Sequence, residues 1–276
     1  MKRRLFLIVA AMMTVLMLAA CGTDDEGSTS SGKKVLKVGM EAAYAPFNWS
    51  QKDDSNGGVA IKDSKEYAAG YDVEIAKKIA DGLDMELQIV KTDWDGLVPS
   101  LQSGAIDLVI AGMSPTEDRK QTIDFSENYY TSDYVIVVKK DGLYADAKTL
   151  SDFAGAKITG QQATTHYDVI DQIEGVNKQV AATDFGAMRV QLQSGAIDGY
   201  VSERPEGISA DMALDNFKYI VPEPNFEADP ASTAVAVGLK KGSDLTEKIN
   251  KVLAEISDED RQKLMEDAIA NQPAAQ

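Results

Sequence analysis

Apolar positions recur at helical spacing in one stretch and run together in the next. The clearest case lies between Trp94 and Arg119 (WDGLVPSLQSGAIDLVIAGMSPTEDR). Leu97, Val98 and Leu101 fall on one face of a helix over 95–103, and Gly104 supplies the stop that often follows a helix. Ile106, Leu108, Val109 and Ile110 then form a β-branched apolar run, which predicts a buried strand. Ala111-Gly112-Met113 leaves that strand. Ser114, Pro115 and Glu117 have the spacing of a capping box with Pro at the first helical position, so a second helix should start there. The loop between strand and helix lies at the carboxyl end of the strand, where open α/β sheets bind ligands.

The same alternation runs through the rest of the chain. Residues 35–38 read as a strand, 39–49 as a loop carrying Glu41, Tyr44, Phe47 and Trp49, and 51–69 as a polar hairpin or loop around Asn56-Gly57-Gly58. Val73, Ile75, Ala76, Ile79 and Ala80 predict a helix over 71–81 with Gly82 after it, and 87–90 a strand. A long β-rich run covers 129–139. A strand at 157–160, a polar loop at 161–166 and a helix from Tyr167 repeat the strand–loop–helix pattern. A strand over 197–201 delivers Ser202-Glu203-Arg204-Pro205. The stretch 221–230 is Pro-rich and irregular, 233–240 reads as a strand, and 245–256 and 260–269 as helices. Strands alternating with helices argue for an α/β protein with helices on the faces of its sheets. LQSGAID occurs at 101–107 and again at 192–198, so each half holds a matching helix-to-strand unit. That match is open to two origins, a duplication or the same local turn used twice.

Composition narrows the class of function. The formal net charge of −16 argues against nucleic acid, whose phosphates such a surface repels. One cysteine excludes an internal disulfide and a Cys-based zinc site, and one histidine argues against His-ligated metals and His-centred triads. No cofactor is implied. A basic start followed by a nearly apolar run to Ala20 has the layout of a secretory signal and is short for a membrane span. Leu18-Ala19-Ala20-Cys21 resembles the bacterial lipoprotein box, which implies cleavage before Cys21 and lipid attachment to it. Residues 21–34 are Gly-, Ser- and charge-rich and read as a flexible tether.

Arg119 is the unusual charge, a cation in the first turn of a helix. It either pairs with Glu117 and Asp118 on the surface, or shares one carboxylate ligand with the Ser114 hydroxyl and the free N–H groups of the helix start. The stretch 94–119, together with Ile123-Asp124-Phe125-Ser126, Tyr129-Tyr130, GMEAAYAPF at 39–47 and GYDVEIA at 70–76, resembles the polar amino-acid family of solute-binding proteins that serve ABC importers. The resemblance spans nearly the whole mature chain. It implies a two-lobed, type II periplasmic-binding-protein-like α/β fold, each lobe a mixed sheet flanked by helices, joined by a two-strand hinge. Lobe 1 would comprise 35–130 and 236–276, and lobe 2 would comprise 131–235 with the hinge strands.

Carried over residue by residue, the resemblance implies that Ser114 and Arg119 hold the ligand α-carboxylate, with Gly112 in the turn beside them. Trp94 would form an aromatic wall. Thr165 would add a carboxylate contact from the second lobe, unless Thr164 or Thr165 is only a helix cap. Family members usually have Gly where Ala163 stands, so a positive φ there would strain this chain. Glu203 occupies the position of an acid that grips the ligand α-amine, with Arg204 as its alternative partner. Glu41, Tyr44 and Gln161 would meet the ligand side chain, and lysine, arginine, glutamine and histidine all stay open. His166 is expected to be a surface residue at a helix start, with a place in the side-chain pocket as its alternative.

The expected function is capture of a polar or cationic amino acid by lobe closure and its delivery to the permease subunits of an ABC importer. The protein would be a monomer on the extracellular face of the cell membrane, held by lipid on Cys21. An enzyme on the same fold, such as a dehydratase of small cyclic acids, would need an acid–base pair beside the bound carboxylate. A ligand-sensing receptor domain would be followed by a membrane span and signalling domain, and the sequence contains neither.

Overall fold

The computed structural model describes residues 32–273. The expected signal, Cys21 and most of the tether lie outside these residues. The first half contains β1 (Val35–Met40), β2 (Ala43–Tyr44), β3 (Asn48–Gln51), β4 (Val59–Ala60), β5 (Tyr67–Ala69) and α1 (Tyr71–Gly82). It continues through β6 (Glu86–Lys91), α2 (Trp94–Ser103), β7 (Leu108–Val109), α3 (Glu117–Lys120) and β8 (Ile123–Thr131). Then come β9 (Tyr134–Lys139), β10 (Lys157–Thr159), α4 (Thr165–Asp168), β11 (Asn177–Lys178), α5 (Phe185–Ser194) and β12 (Gly199–Glu203). The chain ends with α6 (Arg204–Ala213), β13 (Phe217–Ile220), α7 (Pro230–Thr233), β14 (Ala234–Lys240), α8 (Thr246–Ala254) and α9 (Asp258–Asn271).

Two mixed sheets carry the fold, in the orders β6-β1-β7-β14-β8 and β11-β10-β12-β9-β13. In each, four strands run one way and a single strand, β14 or β9, runs against them. We call each sheet with its helices a lobe. The chain leaves the first sheet after β8, turns at Ser132-Asp133 and enters the second as β9. It returns through the irregular 221–229 segment and α7 to β14. The β-rich run 129–139 is thus two strands in different sheets and not one. A small antiparallel sheet, β2-β3-β5-β4, draws its strands from the stretches read as a loop over 39–49 and as a polar hairpin or loop over 51–69.

Both LQSGAID copies make the same corner. Each helix ends at a Gly in the left-handed region, Gly104 at φ 82° and Gly195 at φ 76°. Each following Asp then clips the edge of a neighbouring strand. Asp107 Oδ2 accepts from Lys37 N at 2.8 Å, and Asp198 Oδ2 accepts from Lys157 N at 2.9 Å. The repeated acid therefore locks β7 beside β1 and β12 beside β10.

Gly82 is the last residue of α1, not the stop after it. A Cβ there would lie 2.5 Å from Val252 Cγ2, so its role is close packing of α8. The helix from Tyr167 starts instead at Thr165 and is one turn long, continuing as a 3-10 turn over Val169–Gln172. The apolar face predicted for α1 is buried throughout.

Candidate functional site

The loop after β7 follows a different capping plan from the predicted one. Thr116, not Ser114, caps α3, its hydroxyl accepting from Arg119 N. Ser114 Oγ instead donates to the carbonyl of Ser232 at 3.1 Å. That carbonyl also accepts from Thr165 Oγ at 3.2 Å and from the Tyr134 hydroxyl at 3.3 Å. Hydroxyls of both lobes thus converge on one backbone oxygen just before β14.

Arg119 makes no ion pair with the acids beside it. Glu117 pairs with Lys120, and Asp118 takes a hydrogen bond from Gln121. The guanidinium donates to the carbonyls of Ser114 (2.9 Å) and Ala163 (3.0 Å) and lies 5.1 Å from the Trp94 ring centre. Burial pushes its pKa down to about 10, with Asp168 opposing. Among the described residues no carboxylate contacts it. A cation tied only to carbonyls, in a site that disfavours its charge, is set up to take an anion.

Glu203 ends β12 and stands at the N-terminus of α6, where the helix dipole favours a negative charge. It is 6% exposed. Arg204 is not its partner: that guanidinium forks onto Asp133. The Tyr44 hydroxyl donates to Glu203 Oε1 from the other lobe. The Tyr44 ring stacks between Phe47 of its own lobe and Phe185 of the second, at 4.9 and 4.2 Å between centres. Burial and the Glu203 charge drive its phenol pKa well up, so Tyr44 stays a donor.

At the side-chain end, Gln161 Nε2 donates to Glu41 Oε1 at 2.9 Å and to the Thr183 carbonyl at 3.1 Å. Burial lifts the Glu41 carboxyl to about 7, with Asp184, Asp93 and Asp95 adding to the rise and the Gln161 bond opposing it. At the rim, Gln162 Nε2 meets Asp95 Oδ2 at 2.6 Å.

These groups surround a nearly closed crevice between the lobes, with a volume of only about 10 Å³, lined by Tyr44, Trp94, Gly112, Ser114, Arg119, Gln161, Thr164, Thr165 and His166. Seven of these are residues singled out from the sequence, and Glu41 and Glu203 adjoin it through Gln161 and Tyr44. Ala163 sits at φ 54°, so the strain expected for a non-glycine residue is present. Gly112 has φ 63°, and a Cβ there would lie 2.6 Å from Tyr44 Cε1.

His166 corrects the sequence-based expectation. It is 9% exposed, packs edge-on against Tyr134 and Phe185, and brings Nε2 to 3.6 Å from Glu203 Oε1. Only the docking of α4 onto β12 puts it there. Phe185, which completes the Tyr44 stack, carries no local signal beyond its place after the Asp184 cap. Among the described residues no cluster of His, Cys, Asp and Glu could hold a metal, and no helix is long and apolar enough to cross a membrane.

The profile of the bacterial extracellular solute-binding proteins, family 3, matches residues 36–269. The arginine-binding extracellular protein ArtP of Bacillus subtilis is 32% identical, covering 94% of each chain. A probable histidine-binding protein of Campylobacter jejuni is 31% identical over 76% of this chain and 80% of its own. Among solved structures, an amino acid ABC transporter substrate-binding protein from Streptococcus pneumoniae bound to L-arginine superposes with a TM-score of 0.76. It is 29% identical, with 86% of this chain and 94% of that one covered.

Proposed function

The chain belongs to the bacterial extracellular solute-binding proteins, family 3, and on that premise we propose that it captures a cationic L-amino acid, arginine foremost, between its lobes and passes it to the permease subunits of an ABC importer. The observation that carries this reading is the charge layout: Arg119 without a carboxylate partner on one lobe, Glu203 on the other. An amino acid presents a carboxylate and an ammonium a few ångströms apart. Binding both groups stabilises the arrangement in which the lobes meet, and that differential contact shifts a hinge equilibrium.

Arg119 and the backbone around Gly112 and Ala163 take the α-carboxylate, Glu203 and Tyr44 the α-amine, and Trp94 forms a wall. A hydroxyl has one proton to give. Ser114 and Thr165 therefore donate to the ligand only by releasing the Ser232 carbonyl, which makes capture an exchange of acceptors. Glu41, supported by Gln161 and by the acids Asp93, Asp95 and Asp184, receives the side chain and favours one with positive charge.

We read the protein as a monomeric receptor and not an enzyme, anchored by lipid on Cys21 at the extracellular face of the membrane. The test is a melting-temperature screen of the lipid-free protein against the common amino acids. A ligand at ~100 times its Kd adds ~2.7 kcal/mol of stability, so arginine should raise Tm by several degrees and recover unaltered. Chemical conversion of the bound amino acid would favour the enzyme reading, and no shift with any amino acid would overturn the proposal.

A further inference from the structure

Asp72, the second residue of α1, is completely buried. Its Oδ2 accepts from Asn48 Nδ2 at 2.8 Å and its Oδ1 from the Tyr129 hydroxyl at 2.7 Å. The Asp72 backbone N–H donates to the Phe47 carbonyl at 2.8 Å, so its main chain and its side chain both hold the Phe47-Asn48 turn. No ion pair involves Asp72 among the described residues. Asn48 turns its donor to this carboxylate while its own Oδ1 stays buried without a hydrogen bond.

A purely structural role does not account for this arrangement. A buried carboxylate without a cation is destabilising, and a neutral side chain of the same shape is commonly as good or better for the fold. What Asp72 touches is the ligand machinery. Phe47, which accepts from the Asp72 N–H, stacks on the Tyr44 ring at 4.9 Å, Tyr44 in turn meets Glu203, and Tyr129 precedes the crossing into the second lobe. The titratable groups facing Asp72 are Tyr44 from β2, Tyr71 of its own helix, Tyr129 from β8 and Glu203 from β12.

We propose that Asp72 is a positioning residue of the ligand site, holding the Phe47-Asn48 turn beneath the Tyr44 ring through its hydrogen bonds while its negative charge, beside that of Glu203, draws a bound ammonium into the crevice. This rests on the amino-acid reading above. Burial lifts the Asp72 carboxyl to about 6, Tyr129 and Asn48 opposing and Glu203 adding to the rise. A bound cation favours the charged form, so ligand binding should lower that midpoint.

The test uses the full chain in detergent with L-arginine as probe. Asp72→Asn keeps the size of the side chain and removes its charge. It should bind arginine at least tenfold more weakly at pH 7.5, with a Tm no lower than wild type, and a smaller loss overturns the proposal. In parallel, the carboxyl carbon of Asp72 is followed by NMR against pH in the wild-type chain. Its midpoint should fall by at least half a pH unit when arginine saturates the site. A midpoint that arginine does not move overturns the proposal, and this measurement decides alone if the variant fails to fold. A wild-type chain that binds none of arginine, lysine, glutamine and histidine overturns the amino-acid reading together with this one. Binding with an unmoved midpoint overturns only the role of Asp72.

Discussion

Gln161 of the second lobe donates a 2.9 Å hydrogen bond to the buried carboxylate of Glu41 in the first, so the side-chain end of the crevice is closed by a contact between lobes. The Glu41 proton has a midpoint of about 7, above the ordinary 4.5, because burial penalises the charge.

Two opposite pH dependences follow from Glu41. The folded protein holds this proton more tightly than the unfolded chain, so the contribution of Glu41 to stability declines as pH rises from about 4.5 to about 7. A cationic ligand favours the carboxylate, so arginine affinity should rise through the same midpoint and level off above it, approaching about tenfold per pH unit below 7. Calorimetry at pH 6, 7 and 8, in buffers of different ionisation heat, should detect proton release on binding. Glu41→Gln should remove the part of that release centred near pH 7 and flatten this part of the profile, leaving the release near pH 6 that comes from Asp72.

Arg119→Ala removes two charge-assisted hydrogen bonds, one of which crosses the cleft to Ala163. Such bonds are worth about 1.5–3 kcal/mol each when they reach a ligand. Amino-acid affinity should fall by about a hundredfold or more, while far-ultraviolet dichroism stays that of wild type. Affinity within tenfold of wild type would remove Arg119 from the carboxylate site.

Ala163→Gly should stabilise the protein. The left-handed conformation at φ 54° costs an alanine about 1–2 kcal/mol, partly offset by the greater chain freedom glycine brings to the unfolded state. A net gain of about 0.5–1 kcal/mol corresponds to a rise of roughly 1–4 °C in Tm for a chain of this size. A lower Tm would mean that the Ala163 methyl group contributes packing that outweighs its strain.

Cys21→Ser should release the protein into the medium, with its ligand binding intact. Cell fractionation and metabolic labelling with a fatty acid check this. Retention of the variant in the membrane fraction would argue for an uncleaved N-terminal anchor.

Local pattern was enough for much of this molecule. The spacing of Leu97, Val98 and Leu101, the stops at Gly104 and Gly195, and the apolar runs before Gly112 and Glu203 are properties of near neighbours in the chain, and the expected helices and strands follow from them, whereas the mixed sheets are implied by the family resemblance. Seven of the nine residues lining the crevice are named from the sequence, Ser114 and Arg119 by their type and position and others, such as Trp94 and Gln161, through the family resemblance. What needed the tertiary structure was the choice among partners. A hydroxyl or guanidinium satisfies itself with whatever acceptor lies nearest in space, so Ser114 meets Ser232 across 118 positions, Tyr44 meets Glu203 across 159, and Arg204 turns to Asp133. His166 is buried for the same reason: its surroundings come from β9, α5 and β12, which only the packed second lobe brings to it.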